Sequence, residues 1–277
     1  MRLGGPVFIK TDDPQLWADA HRQLGYTAAY MPINEPEDGR LGAYVEAAAK
    51  AGVVLAEVGA WSNTIAVDEG ERRKAIDLCC RRLAVAERAG ARCCVNIAGS
   101  RGARWDGPHP DNLAPETFDL IVQVVREIID TVRPTRTCYT LETMPWVFPD
   151  SPDSYLALIR AIDRPAFGVH LDPVNMINCP SRAYRSGDFL RECFAKLGPY
   201  IRSCHAKDIA FTQHLTLHLD ECPPGTGVLD YRAYLQELAK LDPDTPLMLE
   251  HLPTTEAYDG AAAHIRQVAQ AAKVTFR

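Results

Sequence analysis

Short runs of β-branched, aliphatic and aromatic residues alternate with longer helix-patterned segments along the whole chain, and no other feature narrows the fold as much. The runs cover residues 6–9, 27–31, 53–58, 92–97, 137–142, 167–172, 201–206 and 246–251, eight in all. Strands separated by helical stretches build parallel βα units. The intervening segments carry helix punctuation as well. Asp13-Pro14 precedes a predicted helix at 15–24, Asp68-Glu69 one at 75–89, Pro115-Glu116 one at 117–132 and Ser151-Pro152-Asp153 one at 155–162. Polar caps, early prolines and first-turn carboxylates suit the unpaired N–H groups of a helix start. Gly25, Gly52 and Gly90 stand where three predicted helices need a left-handed residue to end.

Eight βα units predict an α/β fold, a (β/α)8 TIM barrel. The length agrees, because barrels of about 250 residues are commonly one domain, and 277 residues with 47% hydrophobic content supply one large core. No composition break or Gly/Ser linker divides the chain, so residues 1–277 are expected to form a single domain. The Pro/Gly-rich pieces at 105–110 and 222–227 follow strand-like segments and are expected as loops over the barrel mouth.

A formal net charge of -6 argues against a nucleic-acid partner, since that binding rests on Lys and Arg neutralising phosphates. The nine cysteines are odd in number, include no C-x-x-C pair and fall partly in apolar stretches, which reads as buried thiols in a reducing compartment. The N-terminal residues lack a signal-peptide core, and no apolar run reaches the ~20 residues that span a bilayer. A cytoplasmic protein with no membrane partner is expected.

Four of the predicted strands end in metal-binding side chains: Glu142, Asp172, His205 and Glu250. In a parallel barrel all strand ends open onto one face, so residues far apart in sequence meet there. Alternation along a strand puts Thr140 with Glu142, His170 with Asp172, Ser203 with His205 and Lys207, and Met248 with Glu250, while Leu141, Leu171, Cys204 and Leu249 face the helices. Three clustered carboxylates would repel one another, and a divalent cation is the simplest way to keep them ionised. Three oxygens and one imidazole suit one Mn²⁺ or Mg²⁺ ion and admit Co²⁺ or Zn²⁺. With open positions, such an ion could chelate a hydroxy-carbonyl compound and stabilise the enediolate left when a proton departs.

Other residues are candidates for the substrate. Lys207 reads equally as a substrate contact or as a lysine paired with Asp208. Trp61, Trp105 and Trp146 fall near strand ends, where their flat faces could pack on a sugar or in the core. Glu57 and Asn96 reach substrate hydroxyls if they point inward. His170 lies one layer deeper than Asp172 and reads as a buried hydrogen-bonded histidine; His251, next to Glu250, points the other way and reads as structural. Arg101 and Arg104 could clamp an anion or form a solvated basic loop. Gly225-Thr226-Gly227 lacks the context of a dinucleotide fingerprint and reads as a tight turn that sets Asp230 as cap of a helix at 231–241.

Taken together, Leu141-Glu142-Thr143-Met144-Pro145-Trp146, Leu171-Asp172-Pro173-Val174-Asn175, Cys204-His205-Ala206-Lys207-Asp208, the stretch Pro224 to Tyr231, and Leu249-Glu250-His251 resemble the xylose-isomerase-like TIM-barrel superfamily, in its branch of sugar (phosphate) isomerases and epimerases. Ala56-Glu57-Val58-Gly59-Ala60-Trp61 resembles that branch too. The resemblance spans nearly the whole chain. It implies that Glu142, Asp172, His205 and Glu250 hold the metal, Mn²⁺ first, and that Glu142 and Glu250 also act as acid and base on opposite faces of a sugar or polyol ketone. It implies a homodimer or homotetramer as well. Many epimerases of the branch carry a His where this chain has Asn175, which leaves substrate identity open; Asn can still bond hydroxyls. A dehydratase or lyase on a related keto-sugar or inosose would use the same metal site. A DNA-repair endonuclease on this barrel needs further histidines, yet none lies between His21 and His109.

Overall fold

The computed structural model describes all 277 residues, Met1 to Arg277. Ten strands form: β1 (Arg2–Gly4), β2 (Ala28–Tyr30), β3 (Val54–Gly59), β4 (Cys93–Asn96), β5 (Tyr139–Glu142), β6 (Phe167–Leu171), β7 (Ile201–Ala206), β8 (Asp208–Phe211), β9 (Leu219–Cys222) and β10 (Pro246–Leu249). Eight of them close into a parallel barrel in the order β1-β10-β7-β6-β5-β4-β3-β2, and β8 pairs antiparallel with β9 as a separate hairpin. The molecule is therefore a single (β/α)8 TIM barrel.

Around it lie α1 (Pro14–Gln23), α2 (Leu41–Ala51), α3 (Glu69–Ala89), α4 (Pro115–Val132), α5 (Pro152–Ile162), α6 (Pro180–Tyr184), α7 (Ser186–Leu197), α8 (Tyr231–Leu238) and α9 (Thr255–Ala272). The expected caps are in place. Asp13 accepts from the Gln15 and Leu16 amides, Asp68 from Glu71, and Ser151 forms a capping box with Ser154. Gly25, Gly52 and Gly90 have φ of 65°, 70° and 68°, as left-handed helix ends require. Helix α3 begins six residues before the expected position, because Asp68 caps it directly and Glu69 and Glu71 favour its first turn.

The first strand is a correction. It is Arg2–Gly4, not residues 6–9. Gly4 sits where β1 closes the barrel between β2 and β10, and a Cβ there would collide with the Ala28 carbonyl and the Met248 sulfur. Pro6 to Ile9 instead leave the barrel: Phe8 is 59% exposed and packs on Tyr258. The hairpin of β8 and β9 was not expected either; it rises from the end of β7 beside the barrel mouth.

Two hydrophobic regions result. The main core lies between the sheet and the helices, where Leu141, Leu171, Cys204 and Leu249 are all buried as alternation predicts. A small cluster of Ala28, Ala56 and Met248 is separate from it. All nine cysteines are free, and no helix is long and apolar enough to cross a membrane. On the opposite face, where the strands begin, a concavity of about 540 Å³ is lined by Arg92, Arg136 and Arg202. Arg136 donates to the Glu87 and Arg88 carbonyls at the end of α3, and Arg202 to those of Pro199 and Ile201. These guanidiniums close backbone ends.

Candidate metal centre

Glu142, Asp172, His205 and Glu250 stand at the C-terminal ends of β5, β6, β7 and β10, four neighbours in the barrel. One ligand-type atom from each lies within 4.8 Å of all the others. The two glutamates come from the outer strands of this arc and flank the Asp172–His205 pair. Backbone carbonyls at the strand ends need donors once the ladder stops, and tyrosines supply them. Tyr155 donates to the Leu141 carbonyl at 2.6 Å, Tyr234 to that of His205 at 2.8 Å and Tyr30 to that of Leu249 at 3.1 Å. Asp172 is fixed separately: its Oδ1 accepts from the Val174 amide at 3.0 Å and the Asn175 amide at 3.3 Å.

The electrostatics follow from burying three carboxylates together. Burial alone would raise the Asp172 pKa, but the Lys207 and His205 charges outweigh it and hold the group well below the usual carboxylate range. Glu250 is likewise drawn down to about 2, against burial, by His205 and Lys207. The cations respond in the opposite sense. Burial opposes charge on His205 and Lys207, yet Glu250 and Glu142 beside the first and Asp172 and Glu142 beside the second raise both well above their ordinary values.

Lys207 Nζ lies 2.9 Å from Asp172 Oδ2 and 2.8 Å from Glu250 Oε2, and His205 Nδ1 lies 2.9 Å from that same Glu250 oxygen. Despite this proximity, Asp172 Oδ2 and Glu250 Oε2 accept no well-directed hydrogen bond. Two buried carboxylate oxygens facing a third carboxylate and an imidazole nitrogen, with no directed donor, fit a divalent ion.

Beneath the quartet, Glu57 is buried and charged. Its Oε1 lies 3.1 Å from His170 Nε2, its Oε2 lies 3.4 Å from His205 Nε2, and it accepts the Ser203 hydroxyl. Burial would raise its pKa, but His170 and His205 hold it below the ordinary range. A histidine that offers one ring nitrogen to a metal commonly gives its other N–H to a carboxylate, which fixes tautomer and ring orientation. Glu57 stands where that carboxylate belongs.

Above the quartet opens a cavity of about 510 Å³. Trp61, Trp105, Trp146, Asn175 and Lys207 line it with Glu142 and Glu250, so the structure brings these sequence candidates together. Asn175 donates through Nδ2 to Glu142 Oε1 and to the Thr143 carbonyl, both at 3.0 Å, and so orients a quartet member. Lys207 pairs into the quartet, not with Asp208, whose carboxylate accepts the Ile209, Gly225, Gly227 and Leu229 amides and holds the hairpin's return.

Asn96 does not reach this cavity. Its side chain bonds Ser62 on both sides and touches Cys79 and Tyr139, on the helix-facing side of β4. Arg101 bonds the Ile65 carbonyl, whereas Arg104 reaches the cavity wall. His170 is the buried hydrogen-bonded histidine expected. His251 departs from expectation: its φ of 56° turns it out of the strand, and it lines the mouth, 3.4 Å from Glu221 and 3.5 Å from Glu250. Burial works against its charge, but Glu221 first and then Glu250 raise its pKa. Glu221, on β9, was missed because only the hairpin's fold brings it 3.7 Å from Lys207.

A family model described as "Xylose isomerase-like TIM barrel" matches residues 18–268. Among solved structures, the chain is similar to a xylose isomerase-like TIM barrel protein from Mycobacterium smegmatis in complex with magnesium, at 20% identity over 94% of this chain and 90% of that one, with a TM-score of 0.66. It is similar to 3-keto-D-glucoside 4-epimerase from E. coli, at 14% identity over 96% and 99% with a TM-score of 0.68. A third is the probable 3-DHS dehydratase from Bacillus anthracis, at 16% identity over 96% and 98% with a TM-score of 0.71. At these identities the likeness establishes the fold. No curated protein sequence matches the chain.

Proposed function

The chain belongs to the xylose isomerase-like TIM barrel family, and on that premise we propose that it is a divalent-metal-dependent isomerase or epimerase of a ketose or keto-sugar derivative. One observation carries the reading: four ligand-type atoms converge within 4.8 Å at the barrel mouth, with two carboxylate oxygens among them lacking a directed donor. Glu142, Asp172, His205 and Glu250 would hold the ion, Mn²⁺ first and Mg²⁺, Co²⁺ or Zn²⁺ as substitutes. When bound, it would polarise the substrate carbonyl and stabilise the charge of an enediolate.

The protein's own groups supply the rest. Glu142 and Glu250 flank the site, so one takes the proton from the carbon beside the carbonyl while the other returns a proton to the opposite face and inverts the centre. Return to the neighbouring carbon would give isomerisation. Lys207 Nζ would hold a substrate oxygen, Asn175 keeps Glu142 in place, and Trp61, Trp105 and Trp146 offer apolar faces to the C–H side of a sugar. Glu57 acts one layer down, through His205. Its nine free cysteines support cytoplasmic residence.

The test is turnover in D₂O by metal-reconstituted protein, followed by NMR across ketoses, keto-glycosides and inososes. Deuterium beside the carbonyl with changed stereochemistry is expected. Loss of water would mark a lyase instead, and turnover that survives complete chelation would refute the metal's part.

A further inference from the structure

The cavity above the quartet has a neighbour. A second lobe of about 370 Å³ shares Pro145, Trp146, Asn175 and Glu221 with it and is lined by none of the four ligand-type residues. Val174, Ile177 and Ile209 are buried in its wall, and Leu219 and the half-exposed Leu217 come from the hairpin region. No lysine, arginine or histidine lines it, and its one charged residue, Glu221, stands on the shared wall.

Chemistry separates the two lobes. Each by itself lies within the roughly 300–1,000 Å³ range of small-molecule sites, but only the first holds the ligand carboxylates, the lysine and all three tryptophans. Beyond the shared wall, Asn178 is the only further polar side chain. Sugar hydroxyls moved there from water would lose hydrogen bonds and gain few, and each one left unpaired is penalised. An apolar group would gain by burial against the aliphatic wall.

We propose that this lobe is a subsite for an apolar substituent, and that the substrate is a keto-sugar carrying an aryl or alkyl aglycone and not a free ketose. The proposal rests on the reading of the quartet given above for where the sugar sits. The subsite itself can be tested without turnover. Calorimetry would compare phenyl and methyl β-D-glucosides, with their α-anomers, on the Mn²⁺-loaded protein and on Leu217→Ser and Leu219→Asp variants.

At least about tenfold tighter binding of the phenyl glycoside is expected, the scale of discrimination an apolar pocket gives, and both substitutions should shrink that ratio. Equal affinities, binding by neither compound, or a preference that survives both substitutions would overturn the subsite. A retained phenyl preference without deuterium exchange into any keto-sugar would support the subsite and sink the isomerase reading, so the two fail separately.

Discussion

Replacing Glu57 with glutamine should weaken metal binding without touching any proposed ligand. Neutral His205 can offer Nδ1 to the ion only if its proton sits on Nε2, which faces Glu57 Oε2 at 3.4 Å. Glutamine keeps the shape but removes the charge, and its amide must also satisfy His170 Nε2 at 3.1 Å and the Ser203 hydroxyl. One amide oxygen cannot serve all three as a carboxylate does. Loss of such an outer partner costs about 10–100-fold in metal affinity, or about 1.4–2.7 kcal/mol. Titration calorimetry with Mn²⁺ at fixed pH reads this directly, and thermal unfolding of the metal-free variant shows whether the fold persists. An affinity within twofold of the parent protein would refute the assignment of Glu57 as the group that positions His205.

Three other perturbations have definite expected outcomes. Lys207→Met removes the cation beside Asp172 and Glu250; breaking a buried pair costs about 3–5 kcal/mol, so urea unfolding should show a less stable metal-free protein, with the deficit narrowed by saturating Mn²⁺. Glu142→Gln and Glu250→Gln should each lower deuterium exchange by about 10²–10⁴-fold, the worth of a positioned acid or base, with circular dichroism unchanged. His21 is buried against Trp17, and burial holds its pKa below the usual value despite the bond to the Trp17 carbonyl. The unfolded chain therefore takes up a proton that the folded one refuses. His21 favours the fold above about pH 6.5, and that contribution is lost as pH falls, with a slope of up to about 1.4 kcal/mol per pH unit. Chemical denaturation from pH 7.5 to 5 should give a shallower decline for His21→Leu.

The barrel was legible because its signals are local. Seven of the eight barrel strands, the helix caps at Asp13, Asp68 and Ser151 and the glycines after three helices each follow from neighbouring residues alone. The quartet followed from the strand period, because Glu142, Asp172, His205 and Glu250 share a phase that turns them to the mouth. That period fails where the strand does. His251 lies past the end of β10 with a positive φ, so it faces the cavity and not the helices. Gly4 was unreadable as a strand residue because its fitness depends on Ala28 and Met248, contacts that exist only once the barrel closes. Phase also reports a face and not a depth. Glu57 points inward but lies under His205, whereas Asn96 faces the helix layer and ties Ser62. Glu221 depends on a hairpin whose one local signal is the alternation of Leu215, Leu217 and Leu219 with polar residues, and that alternation does not say which segment the strand pairs with.

Anomalous diffraction from crystals grown with Mn²⁺ tests the central claim most directly. One peak is expected, within coordination distance of the Glu142, Asp172 and Glu250 oxygens and His205 Nδ1 together, and it should vanish in Asp172→Asn. A quartet left empty at saturating Mn²⁺, or an ion bound elsewhere in the barrel, would contradict the account.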